Sequence, residues 1–478
     1  MQIDVLLLFL GLLLHEQAGV PRPPLFDSGG AMLIVSLVPY LLPIMAIALH
    51  CRRVRRLMLH QPQRVPRALV RLQQAMTLWR WFAVGIFLAS IFGFGWMTYL
   101  EQRLGFKFLV PDLLALAPPL LIGVFSWWAY YPIHRKLQEA SLIRQLDEGR
   151  PVYPPQPRNA FVISQIRHQM LLILLPMLFI LTWVQLVHHA ATRWPFIAAY
   201  EAACTAIGGI VVFLASPFIL RAIWDVIPMP PGELRTRLLD LCESHRVKIR
   251  QLLLWRTHTG MVNGAVMGVV APLRMILLTD GLIAQLPQPQ VEAVMAHELG
   301  HVRRHHLPLL AVAALGTIGA MLSLLDLLMR LIEKIAAQPG WREAAQTAGL
   351  QSDSITQSVV GAALIAATFI AWLILFGWIS RRFERQADTF AVQHFCADVI
   401  TPDAAQTMAD ALRNVCVLNH ASTTRPSWRH GSIEWRIAYL HSLVGRRADD
   451  CPIDKLMRRI NLICLVLLIV SLASGAAV

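Results

Sequence analysis

Residues 297–301 read His-Glu-Leu-Gly-His, and around them Val291, Met295, Leu299 and Val302 recur at helical spacing after Pro289. Helical residues four apart share a face, so His297 and His301 can address one metal ion. Glu298 is turned about 100° away, which suits a carboxylate that acts on a water rather than on the ion. The chemistry open to this combination is hydrolysis. Zinc draws the pKa of a water toward about 7, and the carboxylate takes its proton and later passes it to the leaving amine. The bland alternative is a helix whose histidines face a membrane interface beside Arg303 and Arg304.

A catalytic zinc takes three protein ligands and keeps one position open. The longer motif with a third histidine is absent: Arg304 stands where it needs Gly, and Leu307 where it needs His. The best candidate third ligand is Glu384, in the run Ser380-Arg381-Arg382-Phe383-Glu384-Arg385-Gln386-Ala387-Asp388. Asp388 follows one helical turn later on the same face, where a carboxylate can hold a ligand imidazole by its free N–H. Read alone, these two acids are equally an exposed pair among juxtamembrane arginines.

The elements that must position these residues belong to a membrane protein. The 478 residues are 56% hydrophobic and 15% charged, with mean hydropathy +0.53. A soluble surface needs more charge than that. Apolar runs of about 20 residues can cross a bilayer as helices. Eight are present, at 31–49, 81–100, 113–131, 169–187, 203–222, 307–329, 359–379 and 460–478. Val5 to Leu14 is too short to span; it fits a signal-like segment, an interfacial helix or part of a longer first helix, with an uncleaved interfacial segment slightly favoured. Trp127, Trp128, Tyr130 and Tyr131 read as an aromatic belt.

The net charge of +14 is unevenly spread. Between His50 and Arg80 lie eight arginines and no acid, and the 132–168 loop is also basic; 101–112 and 188–202 carry few cations. That alternation is a positive-inside signal, not a nucleic-acid surface, so the partner it implies is the lipid bilayer and no nucleic acid. It puts 50–80, 132–168, 223–306 and 380–459 in the cytoplasm and both chain ends on the other side. The seven cysteines are scattered without a C-x-x-C pair and read as reduced thiols.

The organisation expected is an extracytoplasmic segment (1–30), a five-span membrane domain (31–222), and a catalytic domain in two pieces. The first piece (223–306) carries the paired histidines, with a helix over Glu233–His245 and β-prone runs at Lys248–Trp255 and Leu273–Thr279. A transmembrane hairpin (307–379) separates it from the second piece (380–457), which precedes a last span (458–478).

These motifs, in this order, resemble the membrane zinc peptidases (gluzincins) that include the HtpX-type heat-shock protease and the type 1 CAAX prenyl protease. Their pattern is H-E-x-G-H, two spans, E-x-x-A-D-like residues, then a His with Arg-Ile six and seven residues on. Here it reads His297 to His301, Glu384 to Asp388, and His430 with Arg436-Ile437, over about 225–445. The resemblance implies one zinc ion per chain held by His297, His301 and Glu384, with Glu298 as general base and Asp388 behind a ligand. It implies that His430 helps stabilise the oxyanion, that Arg436 supports the site, and that Asn263 precedes an edge strand pairing with extended substrate. Gly264-Ala265 follow Asn263 in place of the usual Ala-aromatic pair, Gly431 replaces a frequent Pro, and the spans outnumber those of either named member.

The fold class expected is mainly α: a polytopic membrane protein of about eight spans with a split cytoplasmic α+β zincin-like catalytic domain. The function expected is a multi-pass zinc endopeptidase facing the cytoplasm, by analogy of a bacterial inner membrane, that cuts membrane or unfolded polypeptides. The alternatives are a CAAX-type enzyme for prenylated tails, a site-2-type protease with its motif inside a span, and a catalytically silent scaffold or transporter.

Overall fold

The computed structural model describes residues 2–17, 23–104, 108–147, 156–257, 261–336, 338, 353–419 and 421–475. Parts of the expected 1–30 segment, of the 132–168 loop and of the 307–379 hairpin, and the last three residues of the final span, lie outside them. The chain forms two compact units, Met1–Asp225 and Val226–Val478.

The first unit is helical. Its long apolar helices cover Gly29–His60, Pro62–Phe92, Val110–Ala140, Arg158–Ala191 and Glu201–Ile223. The span expected at 81–100 starts earlier and stops at Gly93; Gly95 takes φ 68° before a separate helix, Trp96–Leu104. The first helix, Gln2–Gln17, packs against its neighbours along one face. Val5, Leu8, Phe9 and Leu12 share one buried cluster with Val84, Phe87 and Ile91, and Asp4 lies 3.5 Å from Arg80 Nε. The aromatic belt also divides: Trp127 and Tyr131 join that cluster, while Trp128 faces outward under the Arg158 guanidinium, 4.3 Å from its ring centre.

The second unit is α+β. Its sheet has strands β1 (Val226–Pro228), β2 (Gln251–Trp255), β3 (Gly264–Met267) and β4 (Met275–Thr279), in the order β1-β2-β4-β3. β2 and β4 are parallel; β1 and β3 run antiparallel to their neighbours. Every residue of β4, Met-Ile-Leu-Leu-Thr, is buried, as an apolar run in a central strand should be. Among the described residues, no strand pairs with the outer edge of β3.

Among the described residues, eight helices follow the chain through this unit: α1 (Glu233–Ser244), α2 (Asp280–Gln285), α3 (Gln288–Arg303), α4 (His306–Ala336), α5 (Asp353–His394), α6 (Pro402–Leu418), α7 (Ile433–His441) and α8 (Pro452–Gly475). Side-chain caps start three of them: Thr279 accepts from Leu282 N–H, Thr401 from Ala404 and Ser432 from Trp435. One core joins sheet and helices, with Ile276, Leu278, Met295, Leu299, Met408 and Leu440 inside it.

Parts of α4 (His306–Leu331) and α8 (Pro452–Ala473) are long and apolar enough to cross a membrane, which makes seven such helices among the described residues. The remaining expected span, 359–379, lies within α5, which continues without a break to Glu384 and Asp388.

Candidate metal centre

The paired histidines sit on α3, whose other face, Val291, Met295 and Leu299, is fixed in the core. Gly300 sets how closely α3 meets α5. A Cβ there would lie 3.1 Å from Phe390 Cβ and 3.2 Å from Ala387 Cα, so a larger residue would push the helices apart. That approach carries Glu384 onto the histidines. His297 Nε2 and His301 Nε2 are 3.2 Å apart, and they lie 3.8 and 3.9 Å from the Glu384 oxygens. Donors around a tetrahedral zinc with bonds near 2.0–2.1 Å stand about 3.3 Å apart. Two imidazole nitrogens and a carboxylate in this arrangement fit that ion after small adjustments.

Behind the three donors lies a buried ion network. Arg436 on α7 donates through Nε (2.7 Å) and Nη2 (2.5 Å) to the two oxygens of Asp388, and its Nη1 is 3.3 Å from Glu384 Oε2. Asp388 Oδ1 also stands 2.9 Å from His297 Nδ1, although the N–H is not aimed along that line. Burial alone would raise the carboxyls of Asp388 and Glu384. The Arg436 charge reverses this for Asp388; His430, Arg436 and both histidines reverse it for Glu384, which is held well below the usual range. Burial, with His297 beside it, pushes His301 down to about 4, which leaves a neutral imidazole. Burial also lowers His297, but Asp388 outweighs it and the net direction is up.

Glu298 faces a cavity of about 210 Å³ that His301, Glu384, Val302, Phe383 and Val266 help to line. Burial raises its carboxyl above the ordinary value, opposed by His297 and by the backbone N–H of Val266 in β3. The unpaired edge of the sheet therefore lies beside the proposed base.

His430 occupies a turn closed by paired backbone bonds between Ser427 and Gly431, each 3.1 Å, with Ser427 Oγ accepting from His430 N–H. Its Nδ1 reaches Glu384 Oε2 at 3.1 Å while half of the side chain stays exposed. Gly431 has φ +74°, which a proline cannot adopt. The departure from the family pattern at this position is thus built into the turn.

Seven of the eight residues singled out from the sequence converge here. Asn263 does not: it is exposed, outside the cavity lining, and tied through its backbone to Thr279. The residue that fixes the approach to β3 is Asn419, which accepts from Val262 N–H (3.0 Å) and donates to Val262 O (2.7 Å). Nothing in its sequence surroundings marks it. His306 is buried among Phe383, Gln386 and His301, a setting that its sequence neighbours do not mark either.

Residues 231–444 match the family described as peptidase family M48. That region is a little under half of the chain. Proteins named protease HtpX homolog from Neisseria meningitidis and Neisseria gonorrhoeae are 26% identical over 257 residues, covering 51% of this chain and 87% of theirs. A crystal structure of Ste24p from S. mikatae aligns over 87% of this chain and 99% of its own, at 14% identity and TM-score 0.45. With its apolar helices and a region that matches a metallopeptidase family, the chain is an integral membrane protein.

Removing Arg436 would strand two buried carboxylates. Arg436→Ala is expected to cost about 3–5 kcal/mol, read as a lower thermal unfolding midpoint of the detergent-purified protein; an unchanged midpoint would refute the network. Gly431→Pro is expected to open the 427–431 turn and lower kcat with metal content unchanged.

Proposed function

We propose that this M48 protein is a zinc endopeptidase that hydrolyses peptide bonds in membrane or unfolded proteins from the cytoplasmic face. The observation that carries the reading is the convergence of His297, His301 and Glu384 on one point, with Glu298 in the same cavity beside an unpaired strand edge.

Zinc, when bound, supplies a Lewis acid that acidifies a water and polarises the scissile carbonyl. His297, His301 and Glu384 hold it, and Asp388 orients His297. Glu298 accepts a proton as the water oxygen attacks the carbonyl carbon. It then delivers that proton to the amide nitrogen as the C–N bond breaks, leaving a carboxylate and an amine. His430, whose Nδ1–H faces Glu384, helps to stabilise the developing oxyanion, a contribution of a few kcal/mol. Extended substrate adds to β3 through backbone hydrogen bonds, with Asn263 at the strand entrance. A CAAX-type activity on prenylated tails would use the same residues.

Glu298→Gln is expected to keep zinc and lose cleavage of an unfolded test protein that the wild type cuts. Equal cutting by both would remove Glu298 from the base role. Glu384→Ala is expected to lose most bound zinc, so a fully metallated variant would move the third ligand elsewhere. For orientation, a cysteine introduced at exposed Asp403 in a background without reactive thiols should react with an impermeant maleimide only after the membrane is opened. Labelling in intact cells would reverse the assignment.

A further inference from the structure

His301 has a partner chain of its own. His305 takes a left-handed conformation (φ 55°) between α3 and α4, and the chain returns so that His306 Nδ1 lies 2.9 Å from His301 Nδ1. The other nitrogen of His306, Nε2, is 3.0 Å from Gln386 Oε1 on α5. Gln386 Nε2 donates in turn to Asp454 Oδ1 (2.7 Å) in the first turn of α8, and Arg304 Nη2 donates to Asp454 Oδ2 (3.2 Å). His306 and Gln386 are buried, and the His306 ring rests on Phe383 with centroids 4.7 Å apart.

The direction of every bond follows from the last one. A carboxylate only accepts, so the Gln386 amide must turn its NH₂ to Asp454 and its oxygen to His306. That oxygen requires a proton on His306 Nε2, which leaves Nδ1 of the neutral ring as an acceptor. His301 must therefore carry its proton on Nδ1, and the lone pair on Nε2 faces His297 and Glu384.

We propose that Asp454, Gln386 and His306 form a positioning relay that fixes His301 in the tautomer able to bind metal. The relay rests on the reading of His301 as a ligand. It ties the metal centre to the last apolar helix, since Asp454 opens α8. Partners of this kind raise metal affinity about 10–100-fold.

The test is zinc affinity of the full-length detergent-purified protein, measured by chelator competition, with the thermal midpoint of the metal-free protein recorded alongside. Gln386→Met removes the acceptor at similar volume and should weaken zinc binding about 10–100-fold with little change in the metal-free midpoint. The double exchange Gln386→Glu with Asp454→Asn swaps acid and amide. The carboxylate at 386 still accepts from His306 Nε2 and from the new amide, while the amide oxygen still faces Arg304. Affinity within about threefold of wild type is expected, by the same argument from bond direction. Unchanged affinity in Gln386→Met, or equal loss in that variant and in the double exchange, would overturn the relay. A His301→Ala variant that keeps wild-type zinc affinity would instead overturn the ligand assignment, which separates the two failures.

Discussion

One guanidinium holds the centre of this domain together. Glu384 and Asp388 lie a helical turn apart on α5 and are both buried, as is Arg436. Two carboxylates so placed would repel each other and resist ionisation. Arg436 reaches both, so each stays charged in the interior. A buried charge network is weak evidence for stability as such; its effect here is geometric. It fixes α7 against α5, and the same α5 carboxylates reach His297 on α3. The M48 chemistry proposed for the site depends on that fixed triangle of helices.

The proposed site residues were legible because their spacing is dictated by helix geometry. His297, Glu298 and His301 needed only a 3.6-residue period, and Glu384 and Asp388 needed the same on a second helix. What brings the two helices together was not legible as such. Gly300 stood in the motif, but only the neighbouring atoms of Phe390 and Ala387 explain why a side chain would not fit. The α1, β2 and β4 segments followed from pattern, whereas β1 and β3 are three and four residues long and their strand character comes from pairing. The packing of Gln2–Gln17 was not legible, because an apolar run of that length fits several settings and only its neighbours show what it touches. Asn419 meets Val262, and Gln386 meets His306 and Asp454, across long stretches of sequence, where local pattern says nothing.

The position of the two described apolar helices in this unit carries its own meaning. α4 begins three residues after α3 ends, and α8 opens on Asp454. The helices that resemble membrane anchors are therefore also walls of the catalytic unit, sharing its core through Leu309, Ala313 and Cys464. Anchoring and site assembly are one event in such an arrangement.

The free edge of the sheet sets a scale. β3 offers four residues, about 13 Å of extended chain at roughly 3.3 Å per residue. A substrate added there could be gripped through its backbone over only a few peptide units, and backbone bonds are indifferent to side-chain identity. Selection would then fall on whether a segment can be presented extended beside α3, not on a long recognition sequence. So brief an edge also gives another sheet little to template on, which limits unwanted strand pairing.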